Sequence, residues 1–81
     1  MEKVMWVTYE EAQRLIPFFR YSKKHGPYKE ARESAGRILE ELENVRQIDY
    51  SPLRGHQIFL KESDYEFYID SLGAMGGIQV E

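Results

Sequence analysis

The sequence predicts a small α+β domain: a two- or three-stranded sheet packed against three helices, in the order β-α-α-β-α-(β). Three observations lead there. Ala31, Ala35, Ile38, Leu42 and Val45 recur at alternating steps of four and three, which puts all five on one stripe of a helix. Two short apolar runs, Lys3–Val7 and His56–Lys61, are each followed by a hydroxyl residue with a glutamate three positions on. Each of those pairs opens a further helical stripe. At 81 residues the chain is expected to be a single domain spanning 1–81, near the lower end of what folds without a metal or disulfide.

Taken in order, Lys3–Val7 reads as a strand, and Thr8 with Glu11 forms a capping box at the start of a helix. Ala12, Leu15, Ile16 and Phe19 give that helix its apolar face. Pro17 lacks the N–H that would bond the Gln13 carbonyl, so a kink or restart is predicted there. His25-Gly26-Pro27 should end the helix, with glycine in a left-handed cap and proline blocking continuation.

The central helix is predicted over Tyr28–Arg46. Leu39 and Tyr28 widen its stripe, while Glu33, Arg37, Glu40 and Glu41 mostly point away, and Gly36 inside it costs roughly 1 kcal/mol against alanine. Gln47–Gly55 reads as a connector with turns at Ser51-Pro52 and at Gly55. His56–Lys61 is the second strand. Ser63 with Glu66 reads as a second capping box, and Tyr65, Tyr68, Ile69 and Leu72 as the last helical stripe. Gly73, Gly76 and Gly77 end it, leaving Ile78–Val80 as a short third strand. At an offset of 53 the two strand–helix units overlay, Met5-Trp6-Val7 falling on Ile58-Phe59-Leu60, although only Ile16 and Ile69 are identical among the seven matched pairs.

Composition narrows the chemistry. With no cysteine, disulfide scaffolds, thiol nucleophiles and thiolate zinc sites are all excluded. No apolar run approaches the roughly 18 residues that span a bilayer, and MEKVMWV contains no apolar region of signal-peptide length. The expected compartment is therefore the cytoplasm, of a cell or of an infected host, without membrane contact. The two histidines, His25 and His56, have no spaced partners, so no metal site is expected. No serine lies in a nucleophile elbow, and Gly73-Ala74-Met75-Gly76-Gly77 lacks the lysine of a phosphate loop. Neither catalytic residues nor a cofactor are expected, and the chain does not read as an enzyme.

Charge is unevenly spread. The net charge is −3, yet residues 20–37 carry six basic against two acidic groups while residues 38–81 carry three basic against nine acidic ones. Aromatics make up 14% of the chain, more than a small interior readily hides. On the helical wheel Phe67 lies opposite the last stripe and Tyr21 opposite the first, and such rings are enriched at protein interfaces. The reading is a non-enzymatic module that binds another protein, as a stoichiometric inhibitor, adaptor or regulator, and that self-associates as a homodimer. Small proteins encoded by phages and mobile elements act in this way. Its expected contacts are Tyr21, Tyr50 and Phe67 as anchors, with Glu40, Glu41 and Glu43 as an acidic face. The alternative is a nucleic-acid-binding regulator using Arg20, Lys23, Lys24, Lys29 and Arg32, where cations would hold phosphates beside the rings of Tyr21 and Tyr28.

Overall fold

The computed structural model describes residues 2–45 and 55–75. Their order is β1 (Glu2–Val7), α1 (Tyr9–His25), α2 (Lys29–Glu43), β2 (His56–Lys61) and α3 (Glu62–Met75), so the α+β class and the β-α-α-β-α order hold. The two strands pair antiparallel, with Glu2 opposite Lys61, Val4 opposite Phe59, Trp6 opposite Gln57 and Val7 opposite His56. Tyr50, the turn at Ser51-Pro52 and the proposed third strand Ile78–Val80 lie outside the described residues.

Strand geometry sends alternate side chains to opposite faces. Met5, Val7, Ile58 and Leu60 point inward and join Ala12, Leu15, Ile16 and Phe19 of α1, Ala35, Ile38, Leu39 and Leu42 of α2, and Tyr68 and Leu72 of α3 in one core. Phe19 is fully buried at its centre, its ring stacked on Tyr68 at 5.8 Å and edge-on to Phe18 at 5.1 Å. Burial pushes the Tyr68 hydroxyl up to about 12, with the charge of Glu11 adding to the shift. All three helices therefore bury one face against one another and the inner face of the sheet, although of the predicted α3 stripe Tyr68 and Leu72 are buried while Ile69 is exposed. The other face of the sheet is left uncovered by any described residue.

The α1 capping box forms as predicted: the Thr8 N–H donates to Glu11 Oε1 at 2.9 Å, and the Glu11 N–H donates to Thr8 Oγ1 at 3.1 Å. Four local expectations are corrected. α1 does not restart at Pro17 but continues through it as one helix, because both Pro17 and Gln13 are exposed and water can satisfy the carbonyl the proline leaves unpaired. Gly26 does not take a left-handed cap. It sits at φ −57°, ψ 151°, the extended conformation that a following proline imposes. A glycine is still needed there, since a Cβ would lie 2.7 Å from the Ser22 carbonyl oxygen. Tyr28 precedes α2 as an exposed residue instead of widening its stripe. Finally, β2 runs directly into α3 at Glu62, so Ser63 lies in the first turn of α3 and caps nothing.

Gly55 makes the turn into β2 at φ +70°, where a Cβ would stand 3.1 Å from the Val7 backbone. Gly55→Ala is expected to lower stability by about 1–2 kcal/mol, the cost of a left-handed conformation for a residue with a Cβ. A shift of the urea midpoint relative to Gly73→Ala checks it, because nothing lies within 4 Å of a Cβ added at Gly73.

Candidate functional site

The candidate surface begins with the strand sequences. Both KVMWV and IFL are apolar at both parities, so each strand offers greasy side chains to both faces although only one is covered. Glu2, Val4 and Trp6 of β1 lie beside Lys61, Phe59 and Gln57 of β2 on the solvent side. Val4 is 50% exposed, Trp6 61% and Phe59 48%. An antiparallel sheet with one wet face normally alternates apolar inward and polar outward, so this face departs from the pattern at three of its six positions. One edge of the sheet is blunted, because the Phe59 N–H donates to Glu41 Oε1 at 3.3 Å.

A second exposed group of rings sits where α1 gives way to α2. Tyr21 is 65% exposed and lies 4.8 Å from the His25 ring, and Tyr28 is 58% exposed. Tyr21 thus stands in solvent, as the helical wheel indicates. Phe67 does not. It is half-buried against the core, 6.3 Å from Phe19, and Ile69 is the exposed large apolar residue among the described residues of α3 instead.

A buried ionic cluster explains the rotation of α3. Asp64 is 2% exposed and accepts hydrogen bonds from Ser34 Oγ at 2.8 Å, Arg37 Nε at 2.7 Å and Arg37 Nη2 at 2.9 Å. Holding Asp64 against α2 turns α3 so that Asp64, Tyr68, Ser71 and Leu72 face inward. Burial pushes the Asp64 carboxyl up, but the hydrogen bonds from Arg37 and Ser34, with the charges of Arg37 and Lys61, outweigh it and hold the group below its ordinary 3.8. The hydrogen bond to Asp64 raises the Arg37 guanidinium in turn. Among the described residues no buried side-chain nitrogen or oxygen lacks a partner, so the Asp64 carboxylate is satisfied within the chain.

The expected acidic face is divided. Glu43 pairs with Arg20 at 3.5 Å, Glu41 turns to the edge of β2, and Glu40 borders a groove on α2. That open groove, of about 660 Å³, is lined by Lys23, Lys29, Arg32 and Arg37 together with Glu33, Gly36 and Glu40. It gathers part of the basic segment, yet the arginines are engaged elsewhere. Arg32 donates to the Gly26 carbonyl at 3.0 Å, Arg20 meets Glu43 and Arg37 holds Asp64. Lys23, Lys24 and Lys29 are the exposed cations of the segment outside these contacts.

Among the described residues no three metal-binding side chains of His, Asp or Glu gather, and no helix is long and apolar enough to cross a membrane. His25 lies against Tyr21, while His56 sits opposite Val7 in the sheet. Val4 and Phe59 are surface residues that sequence reasoning does not single out, although the apolar character of both strands at both parities is a signal for them. Comparison of the chain with protein-family models, curated proteins and solved structures finds no match.

Proposed function

We propose that the chain is a non-enzymatic protein-binding module of the cytoplasm that acts by occupancy, as a stoichiometric inhibitor, adaptor or regulator, and that it self-associates. The observation that carries this reading is the solvent face of the sheet, where Val4, Trp6 and Phe59 stand together in water although the core is complete without them. Rings of this kind bury large area at low entropic cost when another protein covers them. Tyr21 and Tyr28 offer a second aromatic contact at the far end of α1.

The competing reading, nucleic-acid binding, is favoured by the groove that collects Lys23, Lys29 and Arg32. Against it, Arg32 and Arg37 are committed to internal hydrogen bonds, and two glutamates line the same groove. Affinity capture from a lysate of the native host separates the two. The expected result is a protein recovered in near-stoichiometric amount, retained after nuclease and with Lys23→Glu/Lys24→Glu, and lost with Trp6→Ser or Tyr21→Ala. Loss on nuclease treatment or charge reversal, with indifference to the ring substitutions, would transfer the function to nucleic acid.

A further inference from the structure

We propose that the solvent face of the sheet packs against the same face of a second copy of this chain, about a two-fold axis that runs between the strands and parallel to them. This rests on the protein-binding reading and names the partner of its principal surface. The register carries the argument. Because Glu2 lies directly opposite Lys61, the face bears a negative and a positive charge side by side at one end. Among the described residues neither takes part in an ion pair within the chain, where Arg20–Glu43 and Arg37–Asp64 are the pairs formed.

Rotation about an axis between the strands lays every residue of the face over its own cross-strand neighbour. Glu2 then meets the partner's Lys61 and Lys61 the partner's Glu2, so both charge pairs are complementary. Val4 covers the partner's Phe59 at the centre, and the Trp6 ring lies over the partner's Gln57. A two-fold axis lying in the interface but across the strands would instead set Glu2 against the partner's Trp6 and Lys61 against the partner's Gln57, pairing no charge. Of these two arrangements only the first is self-complementary, which is what an isologous interface requires. Six side chains cover less than the about 800 Å² per partner of a standard interface, so the dimer is expected to dissociate in the micromolar range and not to be permanent.

Sedimentation equilibrium over a range of concentrations tests this with Glu2→Lys, Lys61→Glu and Phe59→Lys, each checked for its fold by circular dichroism. The unsubstituted chain should give a dimer mass that falls to one chain on dilution. Each single variant should weaken association at least about tenfold, since it brings like charges together across the axis or places two lysines at its centre. An equimolar mixture of Glu2→Lys and Lys61→Glu should dimerise again, because its two faces are oppositely charged, whereas a change confined to one chain's stability is not rescued by mixing. Lys61 also stands near Asp64, so Phe59→Lys alone serves as the test if Lys61→Glu fails to fold. A mass of one chain at every concentration would overturn the proposal, as would a dimer indifferent to all three variants, which would mark pairing through a sheet edge or the helices. Capture of a host protein by a chain that stays monomeric would leave the protein-binding reading standing and remove only the self-association.

Discussion

Phe19→Ala is expected to remove about 3–5 kcal/mol of stability. That is most of what so small a domain possesses, given that domains generally hold about 5–15 kcal/mol. Phe19 has no exposed surface and is the residue through which α1 meets α3. It stacks on Tyr68 of α3, touches Phe67 of the same helix, and rests edge-on against Phe18 of its own. Truncation leaves a cavity walled by rings too large to collapse into it, so both the transfer and the cavity contributions are felt. Urea unfolding followed by circular dichroism should show a midpoint close to zero denaturant. Leu15→Ala, which leaves the aromatic stack in place, should cost less.

Arg37→Ala is expected to cost about 2–4 kcal/mol at neutral pH, because it strands the Asp64 carboxylate in a buried site with Ser34 as its remaining donor. Adding Asp64→Ala to Arg37→Ala should recover part of the loss, since the unpaired charge is then gone. The pH dependence has a definite sign. The folded pKa of Asp64 lies below 3.8, so the unfolded chain binds the proton first and the pair's contribution is complete above 3.8. As pH falls below 3.8 towards the folded pKa, that contribution is lost. Thermal melts of the two chains should therefore differ most near neutrality and converge in acid.

The elements most legible in the sequence were those whose periodicity had one physical solution. The four-and-three spacing of Ala31, Ala35, Ile38 and Leu42 leaves no other face for α2 to bury, and the reciprocal hydrogen bonds of Thr8 and Glu11 fix the start of α1. The last helix was less legible, because apolar residues lie on several of its sides. Tyr65, Phe67, Tyr68, Ile69 and Leu72 permit more than one buried stripe, and the choice falls to Asp64, whose ligands Ser34 and Arg37 lie some thirty residues away in the chain. No local pattern announces such a contact. An aspartate in a first helical turn reads as an ordinary favourable charge at the helix N-terminus.

The candidate surface was half legible. Tyr21 stands exposed because its helix presents a single apolar stripe and Tyr21 lies opposite it. Trp6 was visible as one of the surplus rings but not its face, and Phe59 was obscured altogether, since an apolar run in a strand names both faces at once and only the placement of the helices says which one remains in water. The basic segment illustrates the converse. Its cations are plain in the sequence, but Arg20, Arg32 and Arg37 are drawn into contacts with Glu43, the Gly26 carbonyl and Asp64, none of which composition reveals.

Trp6 is the only tryptophan of the chain and stands on the uncovered face, so its emission reports directly whether another protein chain occupies that face. At high protein concentration, or on titration with a captured target, the emission should move to shorter wavelength and become shielded from acrylamide, returning on dilution to that of an indole in water. Emission that is red-shifted and freely quenched at every concentration and with every protein ligand would contradict the account, because the face would then have no protein occupant.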